Sequence, residues 1–155
     1  MNPVCESSQI NAKMSLIGQN SFKSNPTSLC EVRRFVKGIV SPYFPDKDLH
    51  CIVLAIDEAC ANIIKHAHAG CPNGQIFLAI HKKSKDIVFE LLDDAAPIDQ
   101  SCVKSRPLDE IRPGGLGVHI INQVMDEVRF KEPPNGYGNF LELTKTIAEA
   151  HGDTV

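Results

Sequence analysis

The stretch IDEACANIIKH, residues 56–66, spaces its apolar residues as a helix does, and the rest of the chain is organised around it. Glu58 and Asn62 are four residues apart, so on a helix they lie one turn apart on the same side. A carboxylate can take a proton from a nucleophile, and an amide oxygen is a hard ligand that suits magnesium. The pair is a candidate for phosphate chemistry, although two polar residues on a solvated helix face would look the same.

The composition is that of an ordinary globular domain. The chain has 155 residues, of which 43% are hydrophobic and 23% charged, and its net charge is -3. It lacks the basic excess of a protein that binds nucleic acid, so we expect no direct nucleic-acid partner. No apolar run approaches the ~20 residues of a membrane span, and the polar N-terminus does not resemble a signal peptide. We therefore expect one cytoplasmic domain over residues 1–155, with no membrane partner and with loose tails at 1–10 and 148–155.

The six cysteines form no C-x-x-C pair, which predicts reduced and mostly buried thiols. Cys60, His66, His68 and Cys71 lie close together in sequence and suggest a zinc site at first sight. Their spacing matches no standard zinc pattern, and Cys60 falls on the apolar side of the predicted helix. Structural packing is therefore the preferred interpretation of these residues.

The remaining pattern predicts alternating strands and helices. A segment with little periodicity, residues 100–112, is expected to be a lid or binding loop. The order β-α-α-β-β-lid-α-β-β predicts an α/β two-layer sandwich, a mostly antiparallel mixed sheet with helices on one face. The predicted strands lie within 13–24, 75–82, 87–92, 130–134 and 139–147. The predicted helices begin near Leu29, near Asp46 as N-cap, and after Gly117, the last with apolar positions Val118, Ile121, Val124, Met125 and Val128.

The predicted second helix gives Glu58 and Asn62 an unusual neighbourhood. Both lie off its apolar stripe, and the residues that precede them on their own side are Cys51, Leu54 and Ala55. A plain solvated face would carry more charge there, so this side is expected to be half-covered and to face a ligand. The stripe itself, which we expect to face the core, consists of Leu49, Ile52, Val53, Ile56, Cys60, Ile63 and Ala67.

Two further motifs follow along the chain. Asp93-Asp94 stands at the end of a predicted strand, and Gly114-Gly115-Leu116-Gly117 opens directly into a helix. Glycines let the backbone approach a ligand closely, and a helix N-terminus offers free N–H groups and partial positive charge to phosphates. The glycine motif is not a P-loop, because no Gly-Lys-Ser/Thr follows, and no buried strand precedes it as in a dinucleotide fingerprint. Each motif alone would suit a turn, but the three in this order favour a nucleotide site.

Together these motifs resemble the GHKL (Bergerat-fold) ATPases, most closely the anti-sigma factor serine/threonine kinase branch, over about residues 26–147. Residues 56–66 resemble the N box of that family, and DDAAPID at 93–99 resembles its first glycine box. GGLGVHII at 114–121, followed by MDEV at 125–128, resembles the second glycine box, and GNFLELTK at 138–145 fits the end of the domain. Ala95 stands where the family usually has glycine.

The resemblance implies the Bergerat ATP-binding fold, with ATP and Mg2+ as cofactors. It implies that Glu58 is the general base, that Asn62 holds magnesium and that Asp93 binds the adenine amino group. The backbone N–H groups of residues 115–118 would cradle the phosphates. The other residues expected to bind the nucleotide are Lys65, His66, Ala95, Pro97, Gly114, Gly115, Leu116, Gly117, Val118 and Thr144.

The resemblance also implies a function, that of an ATP-binding anti-sigma regulatory factor. It would phosphorylate a serine or threonine of an anti-anti-sigma (STAS-type) partner, with a sigma factor as alternative partner and with homodimerisation, as in much of the family. A nucleotide-gated protein that sequesters its partner without phosphoryl transfer is the main alternative. A detached histidine-kinase catalytic domain and a two-layer domain with a degenerate site are two others, the former disfavoured because the chain has no room for a dimerising helical hairpin.

Overall fold

A computed structural model describes residues 13–67, 74–95 and 116–148, which form two layers. One layer is a sheet and the other consists of three helices, none of which, within these ranges, is long and apolar enough to cross a membrane. The helices are α1 (Leu29–Val40), α2 (Asp46–Asn62) and α3 (Leu116–Val124). The strands are β1 (Met14–Lys23), β2 (Gln75–Lys83), β3 (Asp86–Asp93), β4 (Glu127–Lys131) and β5 (Asn139–Thr146).

The five strands form one sheet in the order β1-β2-β3-β5-β4, and all four pairings are antiparallel. The predicted α/β two-layer sandwich with a mostly antiparallel sheet is therefore confirmed. Successive side chains of a strand point to opposite faces, so the register divides the sheet into a face that packs against the helices and an open face. The helix face carries the fully buried residues Ile80, Ile87, Phe89 and Leu143.

Helix α2 lies between the other two helices and packs against both. Leu49, Ile52, Ile56 and Cys60 of its predicted stripe are buried, whereas Val53 and Ile63 are only partly so. Ala55 and Ala59 are also buried, so the core-facing side is turned further towards Glu58 than the stripe suggested. Small side chains produce this shift, because they let a neighbouring element come close without adding to the apolar periodicity.

The ends of two helices differ from the predictions. Asp46 is the first residue of α2 rather than its N-cap, where its charge suits the positive end of the helix dipole. Helix α3 ends at Val124, so Val128 belongs to β4, which begins at Glu127 rather than near Phe130. The reason is a set of three hydrogen bonds to β5 that replace another helical turn. They are Asp126 N to Thr144 O (2.8 Å), Thr146 N to Asp126 Oδ2 (2.7 Å) and Lys145 Nζ to Val124 O (2.8 Å).

The cysteines are less buried than the sequence suggested. Cys30 and Cys51 are exposed, and Cys60 alone of the three described cysteines is buried. The correction has a simple cause, since Cys30 and Cys51 lie on the outer sides of α1 and α2 and so extend no apolar stripe. Burial raises the pKa of the Cys60 thiol to about 12, with a smaller contribution from the negative charge of Asp57.

The packing of α2 can be tested with two truncations on the same helix. Ile56 has no exposed surface, so Ile56→Ala should lower the free energy of unfolding by about 2–5 kcal/mol, because it leaves a cavity in the core. Leu54 is 38% exposed, and Leu54→Ala should cost less than about 1 kcal/mol. Urea unfolding followed by circular dichroism measures both. Equal losses would contradict the orientation of the helix.

The thiols give a second test of burial. At pH 8, iodoacetamide should modify Cys30 and Cys51 of the folded protein but not Cys60, which at a pKa of about 12 is ionised in only about one molecule in ten thousand. Peptide mass spectrometry identifies the modified cysteines. The same reaction in denaturant serves as the control, since all thiols should then react. Fast labelling of Cys60 in the folded state would contradict its position in the core.

Candidate functional site

Helix α2 presents Glu58 and Asn62 on one side of its last two turns. Both side chains are half-buried, and neither forms a hydrogen bond or an ion pair with any residue in the described ranges. Their neighbour Asp57 is engaged, because its Oδ1 accepts a hydrogen bond from Arg33 Nη1 of α1 at 2.7 Å. This bond and the charge of Asp57 raise the pKa of the Arg33 guanidinium. The helix therefore holds one carboxylate in an ion pair and leaves the next one available for a ligand.

The chain changes its winding directly after Asn62. Residues Ile63–Ala67 form a π-helix, and the N–H of Ile63 is shared between the carbonyl oxygens of Ala59 and Cys60. Single π-helical turns are rare and often occur at functional sites. Lys65 is exposed in this turn, whereas the side chain of His66 lies outside the described part of the chain. The wider turn marks the end of the α2 surface that carries Glu58 and Asn62.

Asp93 is the buried carboxylate of the site, with 3% of its surface exposed at the end of β3. Its Oδ1 accepts two hydrogen bonds, from the N–H of Ala95 at 3.0 Å and from Asn139 Nδ2 at 2.9 Å. Among the described residues nothing donates to Oδ2. One oxygen therefore fixes the orientation of the carboxylate, and the other is left to accept from a ligand.

Sequence reasoning missed the contribution of Asn139 and included Thr144 instead. Asn139 lies directly opposite Asp93 in the β3–β5 pairing, so both side chains are on the helix face. Thr144 is an odd number of residues further along β5, which places it on the open face opposite Val88 of β3. The structure therefore does not bring Thr144 together with Glu58, Asn62 and Asp93. Only the strand register could have distinguished the two residues, and the sequence motif alone does not contain it.

The turn after Asp93 packs tightly against the start of β5. The N–H of Gly138 donates to the carbonyl oxygen of Asp93 at 2.7 Å, and a Cβ at position 138 would lie 1.6 Å from the carbonyl oxygen of Ala95. Only glycine fits there. Ala95 itself fits without strain, because Ser84 is the one non-glycine residue of the described ranges that has a positive φ. The methyl group that replaces the usual glycine is thus compatible with this backbone.

Helix α3 begins at Leu116, as the glycine motif predicts, so the backbone of Leu116, Gly117 and Val118 forms its first turn. The first N–H groups of a helix have no partner within it, and they attract anions. The other end of α3 is held by the ammonium group of Lys145 on Val124. Because α3 packs against α2, the structure brings its first turn into the same layer as Glu58 and Asn62. Pro97, Gly114 and Gly115 lie outside the described residues.

The chemistry of the donors suits a hard cation better than zinc. Cys60 is buried and its pKa is raised to about 12, so it would not supply the thiolate that zinc prefers. His68 and Cys71 lie outside the described residues, and within the described ranges no three His, Cys, Asp or Glu residues form a group that could hold a metal. Carboxylate and amide oxygens such as those of Glu58 and Asn62 are ligands that magnesium accepts, together with substrate phosphates.

Comparison with known proteins agrees with this arrangement. The profile of the Histidine kinase-like ATPase domain matches residues 22–145, from the end of β1 to β5. The serine-protein kinase RsbW of Halalkalibacterium halodurans is 29% identical over 125 residues, which cover 75% of this chain and 74% of that protein.

Two further relatives carry the same name. RsbW of Bacillus subtilis is 24% identical over 125 residues, covering 75% of this chain and 76% of that protein. RsbW of Bacillus velezensis is 24% identical over 136 residues, covering 80% and 83%. The resemblance to the GHKL ATPases is thereby confirmed, and the chain belongs to the histidine kinase-like ATPase domain family.

Proposed function

We propose that this protein is an ATP-dependent serine/threonine-protein kinase that acts as an anti-sigma regulatory factor. The observation that carries the proposal is the buried Asp93 carboxylate, whose Oδ1 is held by Ala95 and Asn139. Such a preorganised acceptor suits an exocyclic amino group, and adenine has one. The similarity to proteins named serine-protein kinases supports phosphoryl transfer to a protein hydroxyl.

The nucleotide would lie between α2 and the segment that leads into α3. Asp93 Oδ2 accepts the adenine amino group, with Ala95 and Pro97 beside the base. The backbone N–H groups at 114–118 bind the phosphates, because the helix N-terminus and the glycines leave those groups accessible. Lys65 and His66 follow Asn62 along the chain, where a cation or a hydrogen-bond donor would help to hold the phosphates.

The proposed catalytic pair is divided by role. Asn62 would hold Mg2+ through its amide oxygen, and the bound ion would neutralise the charge of the phosphates. Glu58 accepts the proton of a serine or threonine hydroxyl of the partner, for which its carboxylate has no competing partner in the described ranges. The acceptor is a STAS-type anti-anti-sigma protein, and a sigma factor is the second partner. We extend the proposal to a cytoplasmic location and to a homodimer.

The role of Asn139 can be tested by binding. Asn139→Ala removes one of the two donors to Asp93 Oδ1, so the carboxylate is no longer fixed and the Kd for ATP should rise about five- to tenfold. Isothermal titration with ATP and magnesium measures the Kd. Asn20→Ala on the exposed part of β1 is the matched control and should leave the Kd unchanged. An unchanged Kd in Asn139→Ala would separate this hydrogen bond from nucleotide binding.

The role of Glu58 separates a kinase from a nucleotide-gated protein that only sequesters its partner. Glu58→Gln keeps the shape but removes the base, so transfer of labelled γ-phosphate to a purified STAS-type protein should fall by about a hundredfold or more. The Kd for ATP should stay within about twofold. Glu132→Gln, an exposed residue beyond β4, is the control for the lost charge. If the unmodified protein binds ATP and transfers no phosphate, the sequestering alternative is correct.

A further inference from the structure

The solvent side of α2 leads directly to Glu58. Leu54 is 38% exposed and precedes Glu58 by four residues, so the two Cβ atoms are about 6 Å apart on the helix surface. Cys51 lies about one turn before Leu54 and is exposed as well. We refer to Cys51 and Leu54 as the outer patch of α2. An exposed Leu on a helix carries no message by itself, but here it borders the candidate base.

The outer patch has a defined position between two flanks. On one flank, Asp57 is tied to Arg33 of α1, which keeps α1 at that side of the helix. On the other flank, Ala55 and Ala59 are buried. Glu58 stands between this buried flank and the patch, because 100° separates successive residues of an α-helix. A protein hydroxyl that approaches Glu58 from solvent therefore comes in across Leu54.

We propose that the outer patch of α2 is the docking surface for the acceptor segment of the protein substrate. The segment carries an apolar side chain one or two residues from the serine or threonine that is phosphorylated. This inference rests on the proposed kinase function. Consecutive Cα atoms are 3.8 Å apart, so a neighbour at one or two positions spans the distance of about 6 Å from Glu58 to Leu54.

The size of the patch also favours a short segment as the occupant. Two side chains cannot supply the roughly 800 Å² per partner that a stable protein–protein interface buries. They can bind one apolar side chain, whose removal from water adds affinity at the point where the hydroxyl must be placed. The patch would thus select the sequence around the acceptor, while the main contacts of the partner lie elsewhere.

The test uses the full chain and a STAS-type protein that it phosphorylates. Leu54→Ala should raise the KM for that protein about tenfold, while kcat and the Kd for ATP stay within about twofold. Leu16→Ala is the matched control, since Leu16 is 49% exposed on β1, far along the sheet from α2. Its KM should equal that of the unmodified protein.

Alanine replacements in the partner then identify the contact. One apolar residue within two positions of the acceptor should raise KM with the unmodified kinase and add nothing in the Leu54→Ala background. An unchanged KM in Leu54→Ala, or an equal rise in Leu16→Ala, would overturn the docking surface and leave the kinase proposal intact. Absence of phosphoryl transfer by the unmodified protein would reject the kinase proposal itself, and the inference with it.

Discussion

The candidate site depends on a single buried carboxylate that two strands hold in place. Asp93 ends β3, and Asn139 begins β5 opposite it, so the hydrogen bond between their side chains forms only when the two strands pair in this register. A buried carboxylate without donors would be costly, and its orientation would not be fixed. The pairing of β3 with β5 thus stabilises the sheet and prepares the ligand acceptor at the same time. Gly138 allows the close approach on which both depend.

The helical layer complements this acceptor from the other side. Helix α2 buries Ile52, Ile56 and Cys60 completely, so it has one rotational setting against the sheet. That setting leaves Glu58 and Asn62 at the edge of the buried side, half-exposed and without partners in the described ranges. Burial of the apolar side therefore determines where the two polar residues point. The chemistry of the site follows from packing rather than from any bond to the catalytic residues themselves.

The sequence predicted the architecture and most of the site because those features have local causes. A spacing of four residues on a strongly periodic helix places Glu58 beside Asn62, and glycines before a periodic segment place the start of α3. What escaped prediction depends on pairing between distant residues. Whether Thr144 or Asn139 joins the site depends on the register of β3 with β5, and the end of α3 depends on three bonds to β5. The exposure of Cys30 and Cys51 also needed the arrangement of the helices.

The anchoring of α3 has a mechanical consequence. The hydrogen bonds of Val124 and Asp126 to β5 fix one end of the helix on the sheet, whereas its first turn stands at the opposite end. A nine-residue helix is about 13 Å long, so a tilt of about 10° around that pivot would move the first turn by about 2 Å. Such a displacement exceeds the range over which a hydrogen bond keeps its strength. Helix α3 is therefore a lever: small rotations at the strand would switch contacts at its far end on or off, while the sheet stays unchanged.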